Sequence, residues 1–338
     1  MGRPRDEPDA ARSVTHDTGR GIRFYLWAYT NTHILYLQDK NGDENWRIYG
    51  VDLQNGEIKD LTPFDQVQAQ IIATNNRLPE WHDVYRLHIN TSAMSLIQQN
   101  DGFAEFTLDD EYRLRIAAKM TPDGGIDIYQ WLGDSWELWE NIPPQDLLTT
   151  GFVGFDKTNQ RIYMKDSRGL NTSALVEKDL ATRQGHLLAD DPRADVADVI
   201  LHPTEKHVQA VSFVYDRKRW QILDTAIQPD LDYLRTVANG EVEIISRTLD
   251  DLFWIVLYMV DQGPARYYLY NRVNREARFL FSNRTALEKY PLSKMHSVVI
   301  QSRDGLDLVA YYTLPLGSDS DGDGVPDQRR CVGGPAGR

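Results

Sequence analysis

Cysteine is almost absent: Cys331 is the only one in 338 residues. An internal disulfide and any zinc site built on several thiolates are therefore excluded. No apolar run reaches the roughly 18 residues a membrane-spanning helix needs. The first two dozen residues are polar and charged, without the apolar stretch of a secretory signal. They read as a disordered lead-in over 1–21, and the chain reads as soluble and cytoplasmic. Basic residues are outnumbered, 37 Lys and Arg against 50 Asp and Glu, giving a net charge of −13. A surface of that sign repels phosphate backbones, so no nucleic-acid partner is expected. Phosphate-cradling Gly-x-x-x-x-Gly-Lys loops are missing as well.

Aromatic residues are plentiful, with 17 Tyr and 8 Trp, and short alternating segments dominate from Phe24 onward. Runs such as His33 to Gln38, Gln160 to Met164 and Phe253 to Tyr258 mix β-branched and aromatic residues between Asp, Asn and Gly turns, which is the pattern of strands. Helical periodicity is confined to 228–237, where Leu231, Leu234 and Val237 fall on one face. The expected fold class is all-β.

A strand, polar turn, strand unit recurs. It runs Trp46 to Leu61, Asp83 to Leu96, Ala174 to Leu187 and Tyr267 to Leu280, with turns opening at Asp52, His88, Asp179 and Asn271. The last two separations are 91 and 92 residues, and halving each lands on Gly133-Asp134 and Asp224-Thr225. A period near 46 with about four strands per unit marks the blades of a β-propeller, because each small sheet needs neighbours to bury its faces. Six blades are countable over 22–297. The interval from Asp52 to His88 is only 36 residues, so the blade containing Ile71 to Pro79 is expected to lack a strand.

The segments Gly19 to Ala28 and Tyr36 to Trp46, together with Val298 to Leu306 and Ala310 to Pro315, resemble bacterial acylaminoacyl-peptidase and dipeptidyl-peptidase-like members of the prolyl oligopeptidase family. The likeness covers roughly 19–327. It implies a propeller of seven blades, incomplete here by about one upstream blade, that limits a serine-peptidase domain to short or N-acylated peptides. In that family the Ser302-Arg303-Asp304-Gly305 segment, within 298–316, leads from propeller to α/β-hydrolase domain.

That catalytic domain is absent from the sequence. Its nucleophile needs a Gly-x-Ser-x-Gly elbow between strand and helix, to expose the hydroxyl and supply an oxyanion-hole amide. No such pentapeptide occurs, and the nearest, Gly133-Asp134-Ser135-Trp136-Glu137, falls in a blade turn. No catalytic residue is assigned, and the chain alone is expected to be inactive. After an acidic linker over 317–338, Val332-Gly333-Gly334-Pro335 echoes the family's His-Gly-Gly-Pro with Val in place of His, which reads as a disrupted tail. A stand-alone propeller serving as a protein-binding scaffold is the alternative reading, and the 298–316 segment argues against it.

Metal-binding candidates are few. Asp319, Asp321 and Asp323 match the opening of a calcium loop, but position twelve holds Arg330 rather than Glu, so a solvated acidic linker is the favoured reading. No other cofactor is expected. The eight histidines are scattered without metal-ligand spacing, and the Asp43-Glu44 pair reads as a plain turn rather than a subsite for peptide amino termini. Oligomeric state is not legible in the sequence.

Overall fold

The recurring turns owe their shape to the residue that opens each one. Asp52, Asp179 and Asn271 accept the amide of the residue two positions on, Gln54, Ala181 and Val273, at 2.8–3.0 Å. This side-chain mimic of a backbone turn is what favours Asp and Asn at such places. Four residues after each opening, and after His88, the backbone turns left-handed, at Gly56, Ser92, Arg183 and Arg275. The chain then reverses into the next strand.

The computed structural model describes residues 12–16, 21–22, 24–28, 30–64, 73–319 and 324–325. They divide into two compact units, one formed by 1–107 and 114–141 and the other by 108–113 and 142–338. No helix among the described residues is long and apolar enough to cross a membrane.

The first unit holds three antiparallel sheets in chain order. β1 (Phe24–Trp27), β2 (His33–Gln38), β3 (Arg47–Asp52) and β4 (Ile58–Asp60) form a four-stranded meander, and β5 (Ala73–Leu78), β6 (Trp81–Leu87) and β7 (Met94–Gln98) form a three-stranded one. β8 (Glu105–Leu108), β9 (Leu114–Met120), β10 (Ile126–Trp131) and β11 (Trp136–Ile142) form a third, of four strands. The sheet of β5–β7 is the one the short interval points to. It has three strands among the described residues, and 65–72 lie outside them.

A polar clasp closes this second sheet. The Asp83 side chain is fully buried and accepts two bonds of 2.8 Å from Arg77, plus the Asn100 amide at 2.8 Å. The Arg77 bonds, followed by the Asn100 amide, hold the Asp83 carboxyl below the usual carboxylate range against the opposing effect of burial. A depressed folded-state pKa contributes stability that is present above about pH 4 and lost as pH falls through the folded value. Arg77→Ala removes the main cause and leaves a buried acceptor underpaired. It is expected to cost about 1–3 kcal/mol and to move acid unfolding to higher pH in a circular-dichroism titration. An unchanged acid midpoint would remove Asp83 from the account.

The second unit continues the repeat. β12 (Gly151–Phe155), β13 (Arg161–Asp166), β14 (Ala174–Asp179) and β15 (Gly185–Ala189) form a four-stranded sheet, followed by β16 (Val196–Leu201), β17 (Val208–Val214) and β18 (Lys218–Ile222) in a sheet of three. A 3-10 turn (Thr225–Ile227) and helix α1 (Gln228–Val237) come next. β19 (Glu241–Arg247), β20 (Phe253–Met259), β21 (Arg266–Asn271) and β22 (Glu276–Ser282) complete the last four-stranded sheet. A separate hairpin, β23 (Met295–Gln301) with β24 (Asp307–Thr313), ends the described elements. Six successive antiparallel sheets of three or four strands are the repeating architecture of a β-propeller.

The sheet of β16–β18 departs from the recurring strand, polar turn, strand unit after its turn near Asp224. Asp224 does accept the Ala226 amide at 2.9 Å, like its counterparts. Four residues on, however, Gln228 keeps a right-handed φ of −54°, and Pro229 follows in the first helical turn. The chain therefore winds into α1 instead of reversing. Leu231 and Leu234 are buried against Ile200, Val242, Trp254, Val256 and Tyr258. Each such leucine contributes about 1.5–3 kcal/mol. The helical span 228–237 is the one its periodicity predicts.

A buried ion network pins α1 in place. Asp230 of α1 accepts the Tyr270 hydroxyl at 2.7 Å and two bonds from Arg272. Asp251 accepts the Trp254 indole N–H at 2.7 Å, Arg247 at 3.1 Å and the other arm of Arg272. The two guanidinium carbons lie 5.5 and 4.8 Å from the Trp254 ring centre, within cation–π range. Burial, aided by the bond to Asp230, pushes the Tyr270 phenol up, and burial lowers the Arg247 pKa.

Candidate functional site

The residues singled out by motif are occupied by the fold. Ser135 lies in the β10–β11 hairpin turn with its hydroxyl donating to Asp134 at 3.0 Å, far from a strand-to-helix elbow. Asp43 accepts the amides of Lys40 and Asn45 at 3.1 and 3.0 Å. Burial opposes its ionisation, but those amides outweigh it and bring its pKa below the usual range. That carboxylate closes its own turn. Ser302 to Gly305 form the β23–β24 hairpin turn, where Ser302 Oγ accepts the Leu306 amide at 3.1 Å and Gly305 N donates to the Ser302 carbonyl at 3.0 Å.

Of the calcium-loop candidates, Asp319 accepts the Gly324 amide at 3.0 Å and sits 3.5 Å from His296 Nε2. Asp321 and Asp323 lie outside the described residues, as does the Val332 to Pro335 tail. Among the described residues no group of three or more His, Cys, Asp or Glu is arranged to hold a metal ion. Two histidine pairings escaped the sequence reading. His202 stacks on His207 with ring centres 5.3 Å apart, and His207 meets Asp224 at 2.9 Å. His207, just before β17, and Asp224, after β18, stand 17 residues apart, so no local spacing announces that pair. The His207 bond and the Ala226 amide lower the Asp224 pKa, and burial lowers that of His202. His202 Nδ1 accepts the Glu205 amide at 3.0 Å, so this cluster also braces a hairpin turn.

A cleft of about 830 Å³ opens in the second unit. Its walls are the segment between α1 and β19, the β20–β21 turn and Lys294 just before β23. Gly240 makes one wall possible. Its φ is +120°, and an added Cβ would stand 2.4 Å from the Met259 carbonyl oxygen. Only glycine permits that approach without a backbone shift. Asp261 braces the opposite side, accepting the Met295 amide at 2.9 Å and Arg217 at 3.4 Å, while Arg217 also donates to the Met295 carbonyl at 2.7 Å. These bonds tie the β20–β21 turn to the base of the β23–β24 hairpin. Val237, Met259, Val260 and Tyr268 add apolar surface, and Arg266 and Lys294 add exposed cations.

Such a cleft has the size of a small-ligand site, and it holds nucleophile, general base and oxyanion elbow in no recognisable arrangement. Its charged and apolar walls suit it to holding a small ligand. Known proteins identify the setting. No protein-family model matches the chain. Over 338 aligned residues it is 40% identical to dipeptidyl aminopeptidase BIII of Pseudoxanthomonas mexicana, taking in 96% of this chain and 49% of that protein. It is 28% identical to dipeptidyl peptidase family member 6 of Caenorhabditis elegans, over 90% of this chain and 45% of that one. Among solved structures, a prolyl endopeptidase superposes with a TM-score of 0.59 at 12% identity, covering 90% of this chain and 48% of the other. Prolyl oligopeptidase B from Galerina marginata gives 0.54 at 11% identity, covering 86% and 46%.

The chain spans about half the length of the relatives it matches. The structural likenesses, at such low identity, speak for the fold alone, and they agree with the six successive sheets. The chain is thus similar to about half of a dipeptidyl aminopeptidase, and its six successive sheets share the fold of prolyl endopeptidase and prolyl oligopeptidase structures.

Proposed function

We propose that this chain is the substrate-admitting propeller of a dipeptidyl peptidase, restricting a hydrolase half to short peptides, and that residues 1–338 alone hydrolyse nothing. The observation that carries the reading is the match to a dipeptidyl aminopeptidase over 96% of this chain and 49% of the relative. On this reading the aligned half is the propeller and the remaining half carries the triad.

Two features support it. Acyl transfer by a serine needs an activated hydroxyl, an imidazole base oriented by a carboxylate, and an oxyanion hole, and the 338 residues contain no elbow to present that hydroxyl. The β23–β24 hairpin also exposes Val299, Ile300, Leu306 and Leu308, between 43% and 63%. A lone two-stranded ribbon is marginal in water, so apolar side chains on such a ribbon fit a segment that continues into a further domain. The propeller would then extend to about residue 297, with 298–316 as the crossing segment and 317–338 as an acidic linker.

The test is an assay of the purified chain against dipeptidyl chromogenic substrates. Turnover at the buffer rate is expected. Hydrolysis that an active-site serine reagent abolishes would overturn the claim of inactivity.

A further inference from the structure

In an acidic protein the charge balance of the cleft runs the other way. Arg217, Arg266 and Lys294 line it together with Glu241 and Asp261. Both acids are committed to the fold: Glu241 Oε1 accepts the Lys218 amide at 3.3 Å, and Asp261 holds the Met295 amide and Arg217. Arg266 and Lys294 are exposed, and among the described residues neither side chain has a hydrogen-bond or ion-pair partner. The cleft therefore presents two uncommitted cations beside a third whose guanidinium is fixed at the hairpin base. A guanidinium and an ammonium together suit a carboxylate, which the arginine fork can bind in bidentate fashion.

Size narrows the ligand further. A bare inorganic anion fills a small fraction of about 830 Å³, whereas the extended walls, with Tyr268 and Met259 beside the cations, have room for several residues of chain. We propose that this cleft is a carboxylate site that takes the C-terminal end of a short peptide, an assignment that rests on the peptidase-propeller reading for the class of ligand. In the whole peptidase such a site would hold the far end of a peptide whose other end lies at the catalytic serine. It would favour substrates with a free terminal carboxylate within reach and disfavour long chains.

The experiment is calorimetric titration of the full 338-residue chain at low ionic strength with trialanine and with trialanine amide. A charge-assisted hydrogen bond contributes about 1.5–3 kcal/mol, so the acid is expected to bind at least about tenfold tighter than the amide. Arg266→Gln and Lys294→Gln should each remove most of that difference while leaving the amide's affinity alone, and Arg266→Lys should retain part of it. Both side chains are exposed and partnerless, so the variants should melt like the parent, which thermal unfolding checks. Equal affinity for acid and amide, no binding of either, or a preference that survives both glutamine variants would each overturn the proposal. Displacement of trialanine by inorganic phosphate at equal concentration would likewise overturn it, in favour of a general anion site. None of these outcomes bears on whether the chain hydrolyses substrates, so failure here is distinct from failure of the peptidase reading.

Discussion

Asp251→Ala is expected to lower the stability of the second unit by about 3–5 kcal/mol, the usual cost of stranding a buried charge. Asp251 is 3% exposed and serves three donors at once: Arg247, Arg272 and the Trp254 indole. Its loss takes the carboxylate from Arg247, leaves Arg272 with Asp230 as its one remaining acid, and leaves a buried indole N–H without its partner. Single domains are stable by only about 5–15 kcal/mol, so the change removes a large share. Asp251→Asn keeps an acceptor oxygen near Trp254 but not the charge, and should fall between the parent and the alanine variant. Urea unfolding followed by tryptophan fluorescence reads the effect. A loss below about 1 kcal/mol would mean that the network is not what secures α1 against the last sheet.

The size of that expected effect follows from a substitution of architecture. Where four of the six sheets place a fourth strand, the sheet of β16–β18 is followed by α1, and a helix cannot extend a sheet's hydrogen-bond ladder. Side chains must do the joining. Leu231 and Leu234 supply apolar burial, Tyr258 donates to the Leu234 carbonyl at 2.6 Å, and Asp230 anchors Arg272 and Tyr270. Those bonds reach across 24 to 42 residues of sequence.

This explains what the sequence shows and what it conceals. The strands, the period and the turns are legible because their causes are local: alternation of apolar residues, and an Asp or Asn that caps its own turn. Helix 228–237 is legible for the same reason. What the turn residue itself does not show is that the chain winds on, because Asp224 opens its turn with the same side-chain bond as Asp52 or Asp179, and the outcome is decided four residues later by Gln228 and Pro229. The cleft is the least legible part. Arg217, Arg266 and Lys294 are separated by tens of residues and belong to no motif, and their freedom shows only once Asp261 and Glu241 are seen to be bound elsewhere. The pairing of His207 with Asp224 escapes for the same reason.

The central claim, that this chain is the substrate-admitting half of a dipeptidyl peptidase, is tested most directly by exchange. At 40% identity the chain can replace the aligned half of the Pseudoxanthomonas mexicana relative, leaving that protein's remaining half intact. Blade-to-blade burial is retained when buried apolar positions correspond, since cores tolerate substitutions that conserve volume and pattern. On the proposed reading the relative's unaligned half, produced alone, lacks the part that narrows access, and it is the comparison that isolates the effect. The measurement is the ratio of cleavage rates for a dipeptidyl chromogenic substrate and for unfolded casein. The account predicts that the chimera cleaves the small substrate and discriminates against casein by at least about 100-fold more than the half alone, an effect of about 2.7 kcal/mol in relative barrier. A chimera that folds and cleaves both substrates in the same ratio as the half alone would contradict it.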